Sequence, residues 1–147
     1  MESKKKTVLV TGSSRGIGRA IALAFGRAGY NVVLNASRSA AQLEETKSLL
    51  ESEAIPVLAV LADVSDYEGC KLLFAKIEET FGMVDVLVNN AGISHIGLFT
   101  DMTPAEWTMC WMSTLVRAEL HPSCRPCHGI RKGWCHSQYF LHVGESA

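Results

Sequence analysis

No apolar run in this chain is long enough to span a bilayer, and no positively charged start leads into a hydrophobic segment. The first absence argues against a membrane-spanning helix and the second against a secretory signal. Lys4, Lys5 and Lys6 are too few, and too close to a strand, to serve as a targeting signal. An excess of charge is missing as well. Fourteen Lys and Arg stand against fifteen Asp and Glu, a net charge of -1, so nothing in the electrostatics calls for nucleic acid or an anionic membrane surface as partner. Five cysteines, an odd number, argue against a closed disulfide framework. A cytoplasmic location is the default expectation that survives. The length, 147 residues, suits one domain with a real core.

Before Trp107 the chain nearly lacks cysteine, tryptophan and histidine, with only Cys70 and His95 from that set. From Trp107 to His142 it holds four of the five cysteines, all three tryptophans and four of the five histidines. Composition rarely breaks so sharply inside one domain.

The first part is rich in Ala, Val, Leu, Gly and Glu, and it is strongly patterned. Thr7 to Val10 is a β-branched and aliphatic run, as a strand buried on both faces requires. After Gly12, Gly16 and Gly18, a helical period runs through Ile21, Ala24, Phe25 and Ala28, and Gly29 stops it. Residues 31–36 read as a second strand. Residues 39–52 read as a helix with Leu43, Thr46, Leu49 and Leu50 inward. Pro56 opens a third strand, and Asp66 caps a helix that turns Cys70, Leu73, Phe74 and Ile77 inward until Gly82. Residues 84–92 form a fourth strand and its exit loop. Thr103-Pro104-Ala105-Glu106 starts another helix, with Thr at the N-cap, Pro first and Glu closing a capping box. Strands alternating with helices over short connections specify a doubly wound, Rossmann-like α/β fold with a parallel sheet. About four strands of it are expected here, with an irregular C-terminal tail.

The turn after the first strand, Thr11-Gly12-Ser13-Ser14-Arg15-Gly16-Ile17-Gly18, is where such sheets hold phosphates. Small residues admit a pyrophosphate to the backbone, and the helix start supplies N–H groups and a positive dipole end. Glycine spacing alone also fits a tight turn that binds nothing. Two further elements point to a nucleotide. Asp63-Val64 ends the third strand, where a carboxylate and a backbone amide can meet an adenine edge, and Asn89-Asn90-Ala91-Gly92 ends the fourth.

Together these three elements, over roughly residues 5–107, resemble the short-chain dehydrogenase/reductase family, most nearly its 3-oxoacyl-acyl-carrier-protein reductase branch. The resemblance implies an oxidoreductase moving hydride between a nicotinamide and a carbonyl or secondary alcohol. It places Gly12, Ser14, Arg15, Gly16, Ile17 and Gly18 at the phosphates, Asp63 and Val64 near adenine, and Asn90, Ala91 and Gly92 beside ribose and nicotinamide. A homo-oligomer is expected of the intact form. Charge favours NADP over NAD. An NAD site offers a carboxylate at the end of the second strand, whereas this chain has Asn35, Ala36, Ser37 and Arg38 there, with Arg15 in the turn. Guanidinium groups suit a 2′-phosphate. The plainer alternative makes Arg38 a solvated loop residue.

The tail departs from the family. A catalytic Asn in a Val-Asn-Leu stretch, a strand ending in a catalytic Ser, and a Tyr-Lys pair should follow Trp107, and none stands there. Tyr139 is followed four residues on by Val143, so no catalytic residue is assigned. Met109-Cys110-Trp111-Met112 can be encoded only as ATG-TGY-TGG-ATG, which from each third base reads Val-Leu-Asp. The next codons permit Val-Asn-Leu. A second offset frame permits a strand with paired serines between Pro126 and Gly144, and residues 144–147 fit the family as written. Residues 1–107 are therefore expected to be the NADP-binding part, 108–143 an out-of-frame segment, and 144–147 the family-like end of a fragment. On that reading Cys124, Cys127, His128, Cys135 and His136, whose spacing resembles zinc or haem-attachment patterns, hold no metal. Two other functions stay open: a non-catalytic nucleotide-binding module, and a small metal-binding protein working through that Cys/His tail.

Overall fold

The computed structural model describes residues 5–92, 99–108 and 138–140. Strands β1 (Thr7–Val10), β2 (Asn31–Ala36), β3 (Val57–Leu61), β4 (Val86–Asn89) and β5 (Gln138–Phe140) form one sheet in the order β3-β2-β1-β4-β5. Every neighbouring pair is parallel. Helices α1 (Gly16–Arg27), α2 (Ala40–Ser52) and α3 (Tyr67–Thr80) connect the first four strands.

The side-chain alternation of a strand divides the core into two layers. Val8, Val10, Val32, Leu34 and Val88 pack with Ala22 of α1 and with Leu43 and Leu50 of α2. Leu9, Val33, Val60 and Leu87 pack with Leu73, Phe74 and Ile77 of α3. Helices therefore cover both faces of the sheet, which is why its central strands carry no polar alternation. α3 starts as expected: the Asp66 carboxylate accepts from Gly69 N–H at 3.3 Å. The capping box is formed too, with Glu106 Oε2 accepting from Thr103 N–H at 2.8 Å and Thr103 Oγ1 accepting from Glu106 N–H at 3.3 Å.

Two expectations are corrected, for α2 and for the tail, and the face of α1 that the helical period left open is fixed. The inward face of α1 is Gly18, Ala22 and Gly26, while Ala24 and Ala28 are exposed and Ile21 and Phe25 only half-buried. Small residues win that face because the helix lies close: a Cβ on Gly26 would come within 2.7 Å of the Ile55 side chain. In α2, Leu49 is exposed while Leu43, Thr46 and Leu50 face in. The tail is not wholly irregular, since β5 lies parallel along β4, pairing Leu87 with Gln138 and Asn89 with Phe140. Sheet pairing uses backbone N–H and C=O groups, so a three-residue strand can take the edge without a long side-chain period. The rest of 109–147, including all five metal candidates, lies outside the described residues. Among the described residues no helix is long and apolar enough to cross a membrane.

Candidate functional site

β2 and β4 flank β1 on opposite sides, so the chain leaves β1 and β4 in opposite directions and a crevice opens at their carboxyl ends. Thr11 stitches that crevice. Its N–H donates to Val88 C=O at 3.1 Å, and its hydroxyl oxygen accepts from Asn90 N–H at 3.1 Å and Ala91 N–H at 2.9 Å. Asn90 answers from the other loop, its side-chain amide donating to the carbonyls of Thr11 and Gly12, each at 3.0 Å.

The glycines fit this meeting of backbones. Gly12 has φ +63°, and a Cβ there would sit 2.8 Å from Ala91 Cα. A Cβ on Gly18 would strike the Gly12 carbonyl and come within 2.5 Å of the Asn90 amide nitrogen. Gly16, at φ +56°, differs: its missing side chain would meet nothing within 4 Å. Arg15, Gly16 and Ile17 are exposed at the start of α1. Arg15 is the N-cap yet places no side chain on the helix amides, and no acid occupies the first turn. The positive end of α1 therefore faces the open side of the turn with no acid from its own first turn on it.

Behind the turn is a buried polar layer. Ser13 Oγ donates to Val10 C=O at 2.8 Å and accepts from Asn35 N–H at 3.0 Å. The Asn35 amide group donates to the carbonyls of Val60 and Ala62, at 3.3 and 3.0 Å. Asn35 thus ties β2 to β3, leaving Ser37 and Arg38 as the exposed residues at the end of β2. Ser14 is buried, and its carbonyl accepts from Arg19 Nη2 at 2.8 Å and from Thr46 Oγ1 at 2.7 Å.

Asp63 lies on the exposed rim beyond β3. Its Oδ1 accepts from the Ser65 hydroxyl at 2.7 Å and the Ser65 N–H at 2.9 Å. Those two bonds hold its carboxyl below the usual aspartate range, opposed by partial desolvation and helped by the Arg38 guanidinium. Val64 turns its side chain into the core and offers the rim only its backbone. Burial raises the thiol of the neighbouring Cys70, with Asp66 and Asp63 adding to the effect. Gly92 is exposed beyond Ala91.

The structure brings Gly12, Gly18, Asn90 and Ala91 into direct contact. Sequence reasoning missed Arg19 and Thr46; Arg19 reaches Ser14 from the first turn of α1, whereas Thr46, 27 positions farther on, reaches it only through tertiary packing. Tyr67 and Lys71 have the spacing of a Tyr-Lys pair, but α3 follows β3, and β2 separates β3 from the crevice. Lys71 instead faces Glu68 at 3.9 Å. Among the described residues no group of three or more His, Cys, Asp or Glu could hold a metal ion.

A family model described as short chain dehydrogenase matches residues 6–119. A 3-oxoacyl-acyl-carrier-protein reductase, FabG, of Staphylococcus aureus is 40% identical over 102 residues, covering 69% of this chain and 42% of the relative. An acetoacetyl-CoA reductase of Rhizobium meliloti is 44% identical over 102 residues, covering 69% and 40%. The chain therefore spans about two fifths of the length of these relatives. A short-chain dehydrogenase from Burkholderia cenocepacia in complex with NADP superposes with a TM-score of 0.69 at 33% identity, over 74% of this chain and 44% of that one. L-sorbose reductase from Gluconobacter frateurii, complexed with NADPH and L-sorbose, gives 0.70 at 33% identity, over 75% and 42%.

Proposed function

The chain belongs to the short-chain dehydrogenase family, and on that footing we propose that its described part is the NADP-binding half of an oxidoreductase acting on a carbonyl or secondary alcohol. One observation carries this reading. Two loops from neighbouring strands meet backbone to backbone at the crevice, through Gly12, Gly18 and Ala91, beside a helix start whose N-cap side chain makes no capping hydrogen bond. A dinucleotide needs that combination: room for a flat, charged ligand against peptide groups, and N–H donors aimed at its phosphates.

In this reading Gly12, Ser14, Arg15, Gly16, Ile17 and Gly18 line the pyrophosphate through backbone groups and the helix dipole. Arg38, with Ser37 beside it, takes the 2′-phosphate. Three facts support that preference: no acid stands at the end of β2, Arg38 is exposed there, and two structural neighbours hold NADP or NADPH. Asp63 and the Val64 backbone border the adenine. Asn90, Ala91 and Gly92 border the ribose and nicotinamide. When bound, the nicotinamide supplies or accepts the hydride. The substrate proposed for the intact form is a 3-oxoacyl thioester or a related small carbonyl, by analogy with the two curated relatives. No residue of this chain is assigned to donate or relay the proton, and we propose that the chain as written is inactive, with 108–143 read out of frame.

A second reading, a non-catalytic nucleotide-binding module, is favoured by β5, which makes part of the tail a member of the sheet. The two readings share the binding site and differ in chemistry. Titration of the purified chain with NADPH and NADH, followed by reduced-nicotinamide fluorescence, should give tighter binding of NADPH. Failure to bind either nucleotide would refute both readings. With an acetoacetyl thioester present, NADPH oxidation should not exceed the blank, and measurable turnover would overturn the claim of inactivity.

A further inference from the structure

The phosphate turn is held from behind by residues that lie outside it. Ser14 C=O receives three hydrogen bonds: from Arg19 Nη2 at 2.8 Å, Arg19 Nε at 3.3 Å and Thr46 Oγ1 at 2.7 Å. Arg19 Nε also donates to Thr46 Oγ1 at 2.8 Å, and Arg19 Nη1 donates to Glu45 Oε1 at 3.1 Å. Thr46 is fully buried, and the Arg19 side chain is 23% exposed. This is a compact clamp between α1, α2 and one peptide carbonyl. Nothing in core packing requires a guanidinium fork and a hydroxyl to converge on one loop carbonyl.

A trans peptide is planar, with its C=O and the following N–H pointing in opposite directions. Pulling Ser14 C=O toward α2 therefore turns Arg15 N–H away from α2, toward the open side of the turn. Arg15 has extended backbone there, at φ −157° and ψ 178°, and the space beside Gly16 is open. We propose that Arg19 and Thr46 are positioning residues for the cofactor: they fix the Ser14–Arg15 peptide so that Arg15 N–H donates to a phosphate oxygen of the dinucleotide. This inference rests on the nucleotide-binding reading above. It adds that α2, which also carries the chain on from the Ser37–Arg38 corner, orders the phosphate turn.

The clamp acts on the pyrophosphate, which NADP and NAD share, whereas Arg38 faces a group that only NADP carries. Thr46→Val keeps the shape and removes the hydroxyl. It should weaken NADPH and NADH by the same factor, roughly tenfold, as expected when one hydrogen bond to a charged group is lost. Thr46→Ser should restore wild-type affinity for both. Arg19→Lys keeps the charge but loses the fork that grips Ser14 C=O and Thr46 together, so it should resemble Thr46→Val. Circular dichroism of each unliganded variant checks that α1 and α2 remain folded, and two independent variants guard against one failing to fold. Wild-type affinity in both Thr46→Val and Arg19→Lys would overturn the clamp, as would a loss confined to NADPH or a Thr46→Ser variant as weak as Thr46→Val. Should the wild-type chain bind neither nucleotide, the underlying cofactor reading falls and the clamp with it. Wild-type binding with unaffected variants removes the clamp alone.

Discussion

Three glycines in one turn separate two reasons for having no side chain. Gly16 has a positive φ of +56° and open space around its missing Cβ, so Gly16→Ala tests backbone strain alone. A left-handed alanine costs about 1–2 kcal/mol, offset by about 0.4–1 kcal/mol from the reduced freedom of the unfolded chain. The net loss should lie between about 0 and 1.6 kcal/mol. Gly12 shares the strain at φ +63° and adds a clash, its Cβ falling 2.8 Å from Ala91 Cα and 3.1 Å from Ala91 N. Both neighbours are backbone of the opposite loop, which cannot rotate away as a side chain would. Overpacking of this kind costs about 1–3 kcal/mol more, which brings Gly12→Ala to a loss of about 1–4.6 kcal/mol. Gly18 has no positive φ, so Gly18→Ala isolates the steric effect. A helix gain of at most about 1 kcal/mol there opposes a backbone clash tighter than that at Gly12, with the Gly12 carbonyl and with Ser13 Cα at 2.9 Å, so Gly18→Ala should also be clearly destabilising. Equilibrium urea unfolding followed by circular dichroism measures all three, with thermal midpoints expected to move about 3–5 °C per kcal/mol. Gly12→Ala and Gly18→Ala should both be worse than Gly16→Ala by a clear margin. If Gly12→Ala and Gly16→Ala unfold at the same urea concentration with the same slope, the β1 and β4 loops do not meet as described.

Arg38→Ala should weaken NADPH roughly tenfold to a hundredfold and leave NADH unchanged, because one charge-assisted contact to the 2′-phosphate is lost. Equal effects on the two nucleotides would show that Arg38 does not read that phosphate. Asp63 contributes to acid stability with a definite sign. Its folded carboxyl lies below the ordinary value, so its contribution is full above the unfolded pKa of about 3.9 and is lost as pH falls through the lower folded value. Ser65→Ala removes the main cause, so urea midpoints measured across acid pH should fall less steeply than in the wild type; an unchanged pH slope would contradict the assignment. Resequencing the gene should yield a frame that reads Val-Asn-Leu after Trp107, a strand ending in serines, and then a Tyr-Lys pair. A verified sequence identical to this one would instead favour the non-catalytic module.

Local chemistry alone was enough to locate most of the framework. Thr7–Val10 and residues 31–36 are strands because unbroken β-branched and aliphatic runs suit a sheet buried on both faces. Asp66 and Thr103 begin helices because a short oxygen-bearing side chain satisfies an N–H that the helix leaves unpaired. That the glycine turn and the loop after the fourth strand lie near one another was legible, because their order along alternating strands implies a crevice between them. Other features depended on distance between elements, which no local pattern contains. The inward face of α1 follows its smallest residues rather than its most apolar ones, because Gly26 must clear Ile55. Leu49 and Leu50 are adjacent and equally apolar, yet only Leu50 reaches the sheet. Thr11 and Asn90 bridge two loops 79 positions apart, and Arg19 meets Thr46 across 27. β5 finds the edge of β4 through backbone pairing, to which side-chain periodicity is blind. Periodicity and capping arise within a single turn of chain, whereas the site's contacts exist only after packing has brought distant segments within hydrogen-bond reach.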